Sequence, residues 1–248
     1  MKRAYFLPFL LALILSGFSC SKNYYDDSGI HQAKYDGNML QYLQSKGKDE
    51  RSLFDTLLTV INLAGLENTI ANEQITFFAP TDPSIGRAIR ILNKTLFEAG
   101  QDTVTALNEI DPRVWKKMLQ GYMIKGNLGI VDFPQVDTMA LNAFSGRLYQ
   151  TLDDDLIVNI GTVFHDLKND GVTIKYQGPR QLLFSYIPDM SRPKSFWKNG
   201  YVATSNIEPT NGRLHVLRYI DHQFGFSFNN YARFSDLAIE YGIKYKEK

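Results

Sequence analysis

A single cysteine, Cys20, serves a chain of 248 residues, so no intramolecular disulfide can form and no cysteine-based zinc site can be built. The fold has to be held by packing. Charge of one sign is also scarce: 27 Lys and Arg stand against 26 Asp and Glu. That balance offers no basic field for phosphates and argues against nucleic acid as a partner. There is no long block of like charge and no low-complexity tract. No nucleophile elbow, phosphate loop, helical pair of metal-binding histidines or dinucleotide fingerprint occurs in the sequence. Asp153-Asp154-Asp155 lacks the spaced oxygen ligands, the glycine and the distal glutamate of a calcium loop, and it reads as a solvated turn between strands. No catalytic residue, cofactor site or metal site is expected.

Long hydrophobic runs are missing everywhere except at the start. Lys2 and Arg3 precede an apolar stretch over 4–15, interrupted by Pro8, and the small residues Ser16, Gly17 and Ser19 lead to Cys20. The stretch is shorter than the ~20 residues of a membrane-spanning helix. The layout is that of a secretory signal. With cysteine at the cut it resembles a bacterial lipoprotein signal, in which Cys20 takes lipid and becomes the mature N-terminus. Gly17-Phe18-Ser19 replaces the usual Leu-Ala-Gly. An ordinary cleaved signal and a membrane anchor are the other readings. The expectation is a lipoprotein signal peptide over 1–19 and a lipidated tether over 20–36, polar and without periodicity. Ser21 rather than Asp follows the cysteine, which points to an outer-membrane lipoprotein of the cell envelope.

The rest of the chain changes period once. Met39, Leu40 and Leu43 share a face of a short helix ending near Gly47, and Phe54, Leu57, Leu58 and Ile61 share a face of the next. Ser52 and Asp55 approximate a capping box for that second helix. Gln74 to Ala79 is β-branched and aromatic, hence a strand. Asp82-Pro83 and Asp111-Pro112 each read as an N-cap with proline in the first turn. The helix after Asp111 is expected to run to about Gly126. Beyond it, short apolar runs over 147–152, 156–160, 172–176, 182–186 and 213–221 alternate with Gly, Asn and Asp turns. Helices first and strands later, without βαβ alternation, predict an α+β fold.

Four segments, in order, are similar to the signatures of fasciclin-like domains. Ile75-Thr76-Phe77-Phe78-Ala79-Pro80-Thr81-Asp82 resembles the strand-to-helix "FAPTD" signature. Asn211-Gly212-Arg213-Leu214-His215-Val216-Leu217 resembles "NGxxHVID". The segment 115–126 and the helix over 52–66 match the two further motifs. The resemblance implies a single domain over 37–225, a β-sheet wedge with helices packed on one edge, followed by a C-terminal extension over 226–248. It makes Phe78, Pro80, Thr81, Asp82, Tyr122, Asn211, Gly212, His215 and Val216 structural. The family's tyrosine–histidine pair is Tyr122–Met123 here, and Arg218 stands where the family has aspartate, with Asp221 three positions later.

The stretch 166–204 is longer than the family's compact hairpin and reads as an inserted aromatic hairpin or loop. Within it Arg192, Phe196 and Trp197, with Tyr201 beyond, place aromatic faces among cations in a loop-like segment. These four are the candidate contacts for a protein or glycan partner. The plainer reading folds the aromatics back over the sheet. The resemblance implies a non-catalytic binding or adhesion module, anchored to the membrane through lipid on Cys20. One alternative is an accessory glycan-binding subunit of an outer-membrane nutrient-import complex. Another is a hydrolase, which would need His165, Asp166 and Asp170 to converge.

Overall fold

The computed structural model describes residues 33–47, 52–226 and 233–243. The expected signal peptide, Cys20 and most of the tether lie outside them, as does much of the C-terminal extension. Helices α1 (Met39–Lys46), α2 (Asp55–Leu63) and α3 (Glu67–Asn72) precede strand β1 (Ile75–Ala79). Helix α4 (Asp82–Glu98), helix α5 (Pro112–Gln120) and strand β2 (Met123–Lys125) follow. The later part is strands β3 (Arg147–Gln150), β4 (Ile157–Phe164), β5 (Leu167–Asn169), β6 (Val172–Ile174), β7 (Arg180–Tyr186), β8 (Lys198–Ile207) and β9 (Gly212–Leu217), then helix α6 (Arg233–Tyr241). This is an α+β domain built on one seven-stranded sheet. Among the described residues no helix is long and apolar enough to cross a membrane.

The sheet order is β2-β1-β9-β8-β7-β4-β3, and the β5–β6 hairpin stands apart from it. Only β1 and β9 run parallel, in a register that sets Phe78 beside His215 and Ala79 beside Val216. The two signature segments are therefore sheet neighbours. Strand β8 joins the halves of the sheet. Residues 198–201 pair with β7, and from Val202 the strand pairs with β9 across two register shifts. Helical apolar faces close over one side: Leu57, Ile61, Ile85, Leu92, Trp115 and Leu119 are all fully buried.

Several expectations are corrected. Helix α5 stops at Gln120, with Gly121 as its C-cap, instead of near Gly126. The next residues become β2 because β1 has an open edge, which Met123, Ile124 and Lys125 fill opposite Phe77, Thr76 and Ile75. Strand β8 was not anticipated, and the stretch 166–204 is not one insertion. It supplies β7 and the start of β8 to the sheet, while the β5–β6 hairpin, residues 175–179 and the connection 187–197 stand outside.

The predicted caps divide. Asp111 accepts from the Arg113 amide at 2.8 Å and caps α5. The Ser52–Asp55 box does not form, since Phe54 holds the N-cap position of α2 without a side-chain bond. Nor does Asp82 cap its own helix; Thr81 stands at that position. Asp82 is already helical, and its carboxylate reaches α2 instead, accepting from the Leu57 amide at 3.0 Å. One helix caps its neighbour. The cost is partial burial of the carboxylate, which raises its pKa despite the amide bonds from α2.

Asp153 is not solvated. It is buried at the β3–β4 turn, with Lys117 Nζ at 3.1 Å from one oxygen and Arg233 Nη2 at 2.9 Å from the other. Two cations from α5 and α6 take the carboxylate that a calcium ion would need. Asp154 and Asp155 are exposed, and Asp155 also pairs with Lys117 at 2.6 Å.

Candidate functional site

The signature residues face inward. His215 is fully buried and stacks on Phe78 with ring centroids 5.0 Å apart. Its Nδ1 accepts from the Asn206 amide at 3.2 Å, and its Nε2 lies 3.0 Å from the Leu128 carbonyl. An acceptor on one nitrogen and a donor on the other define a neutral imidazole. Burial accordingly lowers its pKa to about 4. Asn211 accepts from the Met39 amide at 2.8 Å and donates to the carbonyls of Ile70 and Glu73, so it fastens α1 and α3 to the β8–β9 turn. Gly212 has φ +153, and a Cβ there would lie 2.0 Å from the Ile75 carbonyl oxygen, so only glycine lets β9 close on β1. Pro80 is buried where β1 ends.

Tyr122 is buried under the same sheet. Its hydroxyl accepts from the Gly225 amide at 2.8 Å and lies 2.9 Å from His222 Nε2. Met123, the next residue, is buried in β2. A histidine from a distant loop thus meets the tyrosine. Burial drives the phenol pKa up and lowers that of His222 to about 3, with the Arg87 charge adding to the second shift.

The groups turned outward gather elsewhere, on connections flanking β4 and β7. The first is the turn 137–144. Asp137 closes it by accepting from the Met139 amide at 2.9 Å, and Met139 is 93% exposed. The second follows the β5–β6 hairpin: the Tyr176 hydroxyl donates to Asp137 at 3.0 Å, and its ring meets Phe144 edge-on at 5.4 Å. That bond to the carboxylate raises the Tyr176 pKa. The third is the β7–β8 connection 187–197, tied to the turn by Lys194 Nζ donating to Asn142 at 3.0 Å. Asp137 and Asn142 therefore stitch three segments into one surface. A shallow cavity of about 390 Å³ between two of them is lined by residues 138–143 and Lys194.

The connection 187–197 is rigidly built for its length. Asp189 accepts from the amide and hydroxyl of Ser191 at 3.0 and 2.6 Å and from Arg192 Nε at 2.8 Å. The Ser191 and Arg192 bonds hold its pKa down to about 2. The Trp197 indole donates to the Pro193 carbonyl at 2.7 Å, leaving Trp197 half-buried as a brace. Phe196 is the displayed residue. It is 64% exposed, one face lies 4.9 Å from the Arg192 guanidinium, and its backbone has φ +60. A bulky residue in the left-handed region costs about 1–3 kcal/mol, a strain characteristic of functional segments. Tyr201 is separate: it lies half-buried on β8 with Arg218 over its ring at 5.3 Å.

Of the four candidate contacts, the structure brings Arg192, Phe196 and Trp197 together and sets Tyr201 on the sheet. Phe184 and Tyr186, from the same aromatic stretch, are core residues. The turn 137–144 escaped the sequence reading. Its only local signal is Asp137 two residues before an amide it can accept from, while its partners come from 39 and 52 residues further on. His165, Asp166 and Asp170 are not assembled. His165 bonds Gln181, Asp166 accepts from the Tyr176 amide at the hairpin base, and Asp170 sits at the hairpin tip. Among the described residues no group of three or more His, Cys, Asp or Glu side chains could hold a metal ion.

The Fasciclin domain model matches residues 52–220. No curated protein matches the chain. Among solved structures it is similar to a FAS1 domain pair from the insect cell adhesion molecule fasciclin I, with 14% identity and a TM-score of 0.40. The match covers 73% of this chain and 48% of that one, so this chain spans about half the length of that structure.

Proposed function

This chain belongs to the fasciclin domain family, and from that premise we propose that it is a non-catalytic binding or adhesion module held at a bacterial envelope by lipid on Cys20. Fasciclin domains are generally binding modules, and the surface around the connection 187–197 is the part of this one best suited to contact. The observation that carries the reading is Phe196. Its ring is largely exposed, with one face on the Arg192 guanidinium, while its backbone is held in a conformation that L-residues rarely adopt. Lipid on Cys20 would concentrate the module at the membrane, and individually weak contacts then act through avidity.

The test uses cells expressing the full chain, followed by membrane fractionation and cell-surface adhesion. Cys20→Ser is expected to release the protein from the membrane, and Phe196→Ser to leave it membrane-bound with adhesion lost. Equal membrane retention of the Cys20→Ser protein would end the tethered-module reading. A second reading, an accessory glycan-binding subunit of an outer-membrane nutrient-import complex, draws on the same exposed ring. Recovery of a transporter in a pull-down from solubilised envelope would favour it over adhesion.

A further inference from the structure

Strand β8 has the point where the chain enters the folded body at one end and the connection 187–197 at the other. At the entry, residues 33–37 lie against the turn between β8 and β9. The Glu208 amide donates to the Ala33 carbonyl at 2.6 Å, the Tyr35 amide to the Glu208 carbonyl at 3.0 Å, and the Thr210 amide to the Gly37 carbonyl at 3.0 Å. Asn211, in the same turn, accepts from the Met39 amide at 2.8 Å. These bonds pin the start of the described chain to that end of the sheet.

Strand β8 then acts as a spacer. It has ten residues, Lys198–Ile207, and is paired on both sides, with β7 and then with β9. At about 3.3 Å per residue it spans about 30 Å. Phe196 stands two residues before its first residue, and Ala33 lies beside Glu208, just past its last. The two positions are therefore separated by about the length of the strand.

The tether is short against that distance. Twelve residues, 21–32, lie between Cys20 and Ala33. A coil of that length reaches about 20 Å on average. Turning the Phe196 end toward the membrane would lift Ala33 by the length of β8. The tether would then be drawn toward its full extension of about 40 Å, at a cost in chain entropy.

Resting on the reading of Cys20 as a lipid anchor and of the connection 187–197 as the contact surface, we propose that the domain stands with its β8–β9 turn toward the anchoring membrane and presents Arg192 and Phe196 away from it. The partner this surface fits is carried on an opposing surface and is not a headgroup of the anchoring membrane.

The test places the lipidated full-length protein in phosphatidylethanolamine vesicles that carry an acceptor dye on their headgroups. Cys20 is the one cysteine of the chain and lipid consumes its thiol, so a donor dye attaches only to an introduced cysteine. Thr210→Cys, exposed in the entry turn, and Phe196→Cys and Met190→Cys, in the connection, are labelled one at a time. The label at position 210 is expected to lose most of its emission to the acceptor, and the labels at 190 and 196 much less. Two positions in the connection separate the effect of place from that of either substitution. Equal transfer from the two ends, or more from the connection, overturns the proposal and leaves the anchor standing. Absence of transfer from every position also overturns it, and recovery of the protein apart from the vesicles then overturns the anchor as well.

Discussion

Tyr122 and His222 are one hundred residues apart in the chain and share a 2.9 Å hydrogen bond in the core. The phenol also receives the Gly225 amide, so it anchors the loop leading from β9 toward α6. Tyr122→Phe keeps the ring and its stacking on Phe226 but leaves two buried polar groups without a partner. The expected loss is about 2–3 kcal/mol, seen as a lower urea midpoint at unchanged denaturant slope.

The two buried histidines make stability depend on pH in a defined direction. Their folded pKa values, about 4 for His215 and about 3 for His222, lie below the ordinary histidine value of 6.5. Between pH 6.5 and those values the unfolded chain takes up the protons first, so stability falls as pH falls. Each histidine contributes a slope of about 1.4 kcal/mol per pH unit. Urea unfolding from pH 7 to 5 should show the fall. His222→Gln should make it shallower by one proton's worth.

Asp82 is expected to matter for α2 although it belongs to α4. Asp82→Ala removes the acceptor for the Leu57 amide and should cost about 1 kcal/mol. Asp82→Asn keeps an acceptor and should cost less. Thr81→Val at the adjacent position should be neutral or slightly stabilising, because the Thr81 hydroxyl is buried without a partner. Thermal melts of the three variants check the order.

Within the aspartate run the positions should behave unequally. Asp153→Ala leaves Lys117 and Arg233 facing a vacated site and should cost about 3–5 kcal/mol. Asp154→Ala, on the exposed side of the turn, should stay within about 0.5 kcal/mol. Added calcium should leave the melting temperature unchanged, since both Asp153 oxygens are already taken. A calcium-induced rise would contradict that geometry.

Phe196 and Trp197, neighbours in sequence, should separate binding from stability. Phe196→Gly relieves the positive φ and should leave stability unchanged or raise it by up to about 1 kcal/mol, while partner binding is lost. Trp197→Ala removes the brace to Pro193 and should lower the melting temperature as well as binding. Melting curves beside the cell-surface adhesion assay distinguish the two.

What could be read in the chain alone follows from interactions local in sequence. The apolar spacing of Leu57 and Ile61, the strand Ile75–Ala79 and the Asp111-Pro112 helix start each depend on residues within one turn or strand of one another. The ordered signature segments carried the family and the α+β class. Where tertiary structure took over, the partner was far away in sequence. Residues 123–125 became a strand because β1 had an open edge, Asp82 capped a helix that begins 27 residues earlier, and Asp153 met cations from α5 and α6. The proposed contact surface is the clearest case: Asp137 and Asn142 are unremarkable in sequence, and only the arrangement of β4 and β7 brings Tyr176 and Lys194 to them. The single cysteine required by composition alone that packing hold the fold, and the even charge balance offered no basic field for phosphates. Which aromatic is braced and which displayed was decided by tertiary structure, because side-chain burial depends on what the rest of the chain places beside it.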